Sequence, residues 1–105
     1  MIITIDKKYF PCTGDYNRIS VAVLYNNIVK EYSVLVSPEK IQNMGGVDMV
    51  SVFPFECSKY VLERVNRRTK KRDKMHVDHV SEVACKFAEQ KAKSLGVELE
   101  ANIND

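Results

Sequence analysis

Arg18-Ile19-Ser20-Val21-Ala22-Val23-Leu24-Tyr25-Asn26-Asn27-Ile28-Val29-Lys30-Glu31-Tyr32-Ser33-Val34-Leu35-Val36 is the stretch that decides the fold of this chain. Ile19, Val21, Val23 and Tyr25 alternate with Ser20, Ala22 and Leu24, the period of a strand with one buried face. Asn26-Asn27 follows, and asparagine tolerates the positive φ that a two-residue hairpin turn requires. A second strand, Ile28 to Val36, then runs back. Folding about that turn sets Tyr25 opposite Ile28, Val21 opposite Tyr32 and Ile19 opposite Val34. One face is then apolar except at Lys30, and the other holds Ser20, Ser33 and Glu31. Turn and pattern thus specify the same register.

Outward from this hairpin, Ile2 to Ile5 reads as a short strand, and Pro11 to Asn17 is a loop rich in turn formers. Ser37-Pro38-Glu39 has the composition of a helix start: a capping hydroxyl, proline in the first turn and an acid at the positive end of the dipole. Gly45-Gly46 ends that short helix. Val47 to Phe53 is apolar and β-branched, predicting a buried strand closed by Pro54. From Glu56 to about Lys71, Cys57, Val61 and Val65 recur at four-residue spacing beside Leu62, predicting a helix. A second long helix spans roughly Asp78 to Leu95, with Val80, Ala84, Phe87, Ala88 and Leu95 as its apolar stripe and Gly96 as its C-cap. Val97 and Leu99 could add a short strand, and the acidic tail from about 98 to 105 is expected to fray.

Strands first and helices later predict an α+β domain: a small antiparallel sheet made of the N-terminal strand, the hairpin 18–36 and a strand at 47–53, with two C-terminal helices on one face. The 105 residues form a single domain on this reading. Apolar residues make up 45% and charged residues 29%, which excludes a disordered chain. No apolar run can span a bilayer, and the charges of Asp6, Lys7 and Lys8 follow a short apolar stretch, the reverse of a secretory leader. A cytoplasmic location with no membrane partner is therefore the expectation. Cys12, Cys57 and Cys85 are odd in number and far apart, which fits reduced thiols better than a disulfide framework or a zinc site. Cys57 and Cys85 are expected to pack on helices as small apolar residues.

Charge is the feature that exceeds what folding requires. The net charge is only +2, yet Arg64, Arg67, Arg68, Lys70, Lys71, Arg72 and Lys74 face a single acid, Asp73, between positions 64 and 74. That segment carries +6, and the nine basic and thirteen acidic residues elsewhere leave −4. If 56–71 is a helix, its dipole accounts for the two or three cations of the last turn. The surplus points to an anionic partner, and arginine's planar fork suits phosphate or carboxylate. The leading expectation is a non-enzymatic binding protein whose basic segment engages nucleic acid or a ribonucleoprotein, with an acidic protein surface as the other anionic choice. No cofactor or metal is expected. The recognised aromatic, GXXG and zinc-finger nucleic-acid motifs are absent. A different class is a protein–protein module, such as a small inhibitor, an assembly factor or a virion-type component, using an open sheet face or an edge strand. Oligomeric state is left open.

Two constellations could be chemical. His76, His79 and Glu82 follow at three-residue spacing and could ligate a metal from one helix face, although the spacing departs from H-E-x-x-H. Asp6, Glu39 and Glu56 could gather at strand ends to bind Mg²⁺ for phosphodiester hydrolysis. The order of these acids, with Glu56-Cys57-Ser58-Lys59-Tyr60-Val61-Leu62 as a strand-to-helix junction, resembles the ribonuclease H fold over about half of the chain. The resemblance implies a Mg²⁺-dependent nuclease as a further alternative. The chain departs from it in its short first helix, in Glu56 where that family has aspartate, and in its length.

Overall fold

The computed structural model describes residues 1–65, 72–73 and 80–100. In chain order they form β1 (Ile2–Pro11), β2 (Arg18–Asn26), β3 (Glu31–Met44), β4 (Val47–Val52), a single 3₁₀ turn (Pro54–Glu56), β5 (Ser58–Val65), β6 (Arg72–Asp73) and α1 (Val80–Leu95). The strands make one antiparallel sheet of order β1-β2-β3-β5-β6, with β4 also paired to β3. The α+β class holds. Of the two expected helices, only α1 is present among the described residues. No helix there is long and apolar enough to cross a membrane.

The hairpin forms, but with a longer loop than the two residues expected. Tyr25 pairs with Tyr32, Val23 with Val34 and Val21 with Val36, leaving Asn27–Lys30 as the loop. The Asn26 side chain builds this turn: its Oδ1 accepts from the backbone N–H of Ile28 (2.9 Å) and of Val29 (3.3 Å). Lys30 completes it at φ +55°. Each β2 residue thus meets a partner four positions further along than predicted. An even shift leaves every side chain on its predicted face, so Ile19, Val21, Val23, Val34 and Val36 stay in the core. The expectation of only one buried face fails, since Ser20, Ala22, Ser33, Ser37 and Glu39 on the other side are buried as well.

The expected helix at Ser37-Pro38-Glu39 is instead the middle of β3, paired with Ser20, Ile19 and Arg18 of β2. Proline is compatible with a strand where its missing N–H meets no ladder. The Glu39 carbonyl accepts from Asn17 on the β2 side, so alternation turns Pro38's backbone toward the opposite edge. There β5 pairing stops at Val36 and β4 pairing starts at Glu39, so Pro38 falls in the gap. Gly45-Gly46 ends no helix. It closes the β3–β4 hairpin as a two-residue turn with φ +64° and +87°, the double positive φ of a type I′ turn. The strand expected over 47–53 exists as β4, but all six of its residues are exposed rather than buried.

The helix expected over 56–71 is also overturned, since Ser58–Val65 is a strand on the outer edge of β3. Four-residue spacing of valines in a short apolar run does not separate helix from strand. The open edge of β3 decides it, because unpaired backbone groups there would otherwise face the core margin. Tyr60 and Leu62 turn toward α1, with the Tyr60 and Phe87 rings 5.3 Å apart and Leu62 buried.

The core lies between the sheet and α1: Ile19, Val21, Val23, Val34, Val36 and Leu62 against Ala84, Ala88 and Ala92, with Cys12 at its margin. Alanines at four-residue spacing let the helix backbone approach the sheet closely. Of the expected stripe, Ala84 and Ala88 are buried and Phe87 packs against them, and Ala92 joins them. The helix ends as predicted at Gly96. Val97 N–H donates to the Ala92 carbonyl (3.0 Å) and Gly96 N–H to that of Lys93 (3.3 Å), the paired bonds of a Schellman cap. Leu99 then bridges Cys12, and Glu100 N–H donates to the Pro11 carbonyl at 2.9 Å. The acidic tail expected to fray from 98 is thus hydrogen-bonded as far as Glu100, and 101–105 lies outside the described residues. No disulfide joins the three cysteines in the structure, and only Cys12 is buried; Cys57 is half-buried beside β5 and Cys85 is exposed on α1, against the expected packing.

Candidate functional site

The basic segment begins at the far edge of the sheet. Arg64 lies in β5, with Glu31 as its register partner on one side and Asp73 on the other; Arg72 lies in β6 opposite Val65. Positions 66–71 join these two antiparallel strands. Arg67, Arg68, Lys70, Lys71 and Lys74 lie outside the described residues. Arg64 and Arg72, the described cations of the segment, therefore lie in strands and not at a helix end, where a macrodipole would call for cations.

The three acids of the nuclease reading are not brought together. Asp6 pairs with Val23 of the core-facing set, and its Oδ1 accepts from the backbone N–H of Lys7 (2.8 Å). Glu39 pairs with Arg18, one residue from the core residue Ile19, and so points to the opposite face of the sheet. Glu56 is exposed in the 3₁₀ turn. Among the described residues no group of three or more His, Cys, Asp and Glu side chains could hold a metal ion. His76 and His79 lie outside those residues, and Glu82 falls in the first turns of α1.

Glu39 instead centres a charged cluster that sequence reading misses. Its Oε1 accepts from Arg18 Nε at 2.7 Å, and its Oε2 lies 3.9 Å from Lys7 Nζ. The Ser20 hydroxyl donates to Glu39 Oε2 (3.3 Å) or to the Ser37 carbonyl (3.4 Å). The Arg18 guanidinium also stacks 3.9 Å over the Tyr9 ring. This carboxylate, with only 5% of its side chain exposed, is neutralised by two cations and has no free coordination sphere for a metal. Its role is to hold β1, β2 and β3 together on the face without a helix. No signal in the sequence marks it, because Lys7, Arg18 and Glu39 meet only through strand register.

A second feature is the arm formed by residues 39–44 of β3 and β4. Met44, Val47, Met49, Val50 and Val52 are exposed along it, and Phe55, in the turn after β4, is 100% exposed. Asn43 stiffens the tip, donating through Nδ2 to Asp48 (3.0 Å) and accepting at Oδ1 from Gly46 N–H (3.2 Å). The sequence signal was present: a Gly-Gly pair between two apolar runs also marks a hairpin. The radius of gyration, 15.4 Å, exceeds the ~13 Å expected of a compact chain this long, consistent with a projecting arm. Compared with protein-family models, curated proteins and solved structures, the chain matches none of them.

Proposed function

We propose that this chain is a non-enzymatic binding protein that engages the phosphates of a nucleic acid or ribonucleoprotein through Arg64, Arg67, Arg68, Lys70, Lys71, Arg72 and Lys74. The observation that carries the reading is the backbone register Arg64 to Asp73 and Val65 to Arg72. It replaces the helix that would have explained part of the positive charge. A helix C-terminus stabilises two or three cations in its last turn, whereas a strand pair has little net dipole. The +6 of the segment then works against folding through self-repulsion unless an anion meets it. Contacts of this kind fix a protein on the nucleic-acid backbone without reading sequence.

The test is fluorescence anisotropy with single-stranded RNA and double-stranded DNA probes over a salt series. Binding should weaken linearly on a log–log plot, by about 0.7–0.9 in slope per phosphate neutralised. Replacing Arg67, Arg68, Lys70 and Lys71 together by glutamine should flatten that slope by about 3. Binding that ignores salt, or no binding to either probe, rejects the reading.

A further inference from the structure

β1 and β4 are both exposed edges, and the molecule treats them differently. β1 is blunted in several ways. It carries Lys7 and Lys8, its register slips between Thr4 and Asp6, it ends on Pro11, and Glu100 bonds to its last carbonyl. Lysines, bulges, proline and cover are the devices by which natural sheets prevent edge-to-edge pairing. β4 has none of them. Its ladder with β3 runs without a slip from Glu39–Val52 to Met44–Val47, and it contains no lysine, arginine, proline or glycine. Among the described residues its second edge pairs with no strand.

The side chains around that edge say what fits it. Between Ile41 and Phe55 the only charged residue is Asp48, and its carboxylate is held by Asn43. Lys40, opposite Ser51 at the base of the arm, is its one cation, so β4 itself offers a nucleic acid no cation and a charged protein little complement. Apolar side chains stand on both faces, Val50 and Val52 on one, Val47 and Met49 on the other, so a partner must extend the sheet rather than merely cap one side. A two-stranded ribbon is marginal alone, whereas three or more strands with an apolar face are stable.

We propose that the occupant is a second copy of this chain, joined along β4 in antiparallel fashion about a twofold axis perpendicular to the sheet. Such an axis pairs residues of the same face. Centred on Val50, it sets Val50 against Val50 of the second copy, Met49 against Ser51, and Asp48 against Val52. Centred on Met49, it sets Met49 against Met49 of the second copy and Asp48 against Val50. In both registers the one charge avoids its own copy, so like charges never oppose each other. The product is a continuous ribbon of four strands, β3-β4 of one copy followed by β4-β3 of the other. The contact is defined by β4 alone, so the inference stands apart from the anion-binding reading.

Sedimentation equilibrium on the full chain should show a concentration-dependent species of twice the monomer mass. Val50→Lys and Met49→Lys, at half-exposed positions, should each weaken the association about 100-fold with an unchanged far-ultraviolet circular dichroism spectrum. Ile3→Lys on the blunted β1 edge should leave the dimer intact. Independently of any variant, β4 amide exchange in the wild-type chain should slow as concentration rises. A chain that stays monomeric to millimolar concentration overturns the proposal. So does a dimer that persists in both β4 lysine variants, a dimer lost only in Ile3→Lys, or β4 exchange that ignores concentration.

Discussion

Arg18 and Glu39 stand directly opposite each other across the β2–β3 ladder, with Arg18 Nε 2.7 Å from Glu39 Oε1. Lys7 approaches the same carboxylate from β1, at 3.9 Å. The two cations are unequal: the Arg18 side chain is 22% exposed and that of Lys7 39%. Removing the closer partner leaves the nearly buried Glu39 carboxylate with only the longer Lys7 contact. Arg18→Ala should therefore destabilise the protein by about 3 kcal/mol. Lys7→Ala, at a longer and more solvated contact, should cost less than about 1 kcal/mol. Arg18→Ala combined with Glu39→Gln should recover part of the loss, because the under-compensated charge is gone. Urea midpoints at constant m-value measure all three, and equal costs for Arg18 and Lys7 would contradict this hierarchy.

Gly14 holds the loop after β1 against the segment that follows α1. It sits at φ +87°, and a Cβ there would lie 2.7 Å from Val97 Cγ1. Val97 is itself fixed by its bond to Ala92 in the helix cap. Gly14→Ala should cost about 1–3 kcal/mol through backbone strain and the clash together. Adding Val97→Ala relieves the clash and leaves the strain, so the double variant should be more stable than the sum of the single losses. Thermal or urea unfolding of the four proteins of this cycle measures the coupling, and strict additivity would show that the two residues do not meet.

Burial, and secondarily the nearby Glu100 carboxylate, push the Cys12 thiol above its ordinary value of 9.0. The folded state then holds this proton more tightly than the unfolded one. Its stabilising effect is complete below pH 9.0 and is lost as pH rises from there through the folded-state value. Cys12→Ala should remove that part of the alkaline loss, read as a smaller drop in urea midpoint above pH 9.0. In the wild-type chain Cys12 should also alkylate last, after exposed Cys85 and half-buried Cys57, as mass spectrometry of a timed iodoacetamide reaction would show. Cys12 reacting first would contradict its placement in the core.

The hairpin shows what kind of error sequence reading makes without harm. The loop is longer than the sequence suggests, yet Ile19, Val21, Val23, Val34 and Val36 are the apolar residues of β2 and β3 that face α1, because alternation is a local property of the chain. The α1 helix and its cap at Gly96 were legible for the same reason: periodicity, a terminal glycine and the Schellman bonds all lie within a few residues. The candidate site was less legible. The charge surplus between Arg64 and Lys74 is plain in the sequence, but its backbone setting was misread as a helix end. The Glu39 cluster joins residues of three strands and could not be read at all.

Sequence by itself therefore determined the core-facing side of the β2–β3 hairpin, the α1 helix with Ala84, Phe87 and Ala88 on its packed face, and the uneven charge. Each follows from spacing along a short stretch of chain. Tertiary structure decided the rest. Ser37 to Glu39 carries the composition of a helix start and Cys57 to Val65 the spacing of a helix, yet both are strands, because β2 and the open edge of β3 supply backbone partners that local propensity does not take into account. It also decided that Val47 to Val52, apolar enough for a core, stands exposed as an arm, since burial depends on what α1 can reach and not on how apolar a segment is.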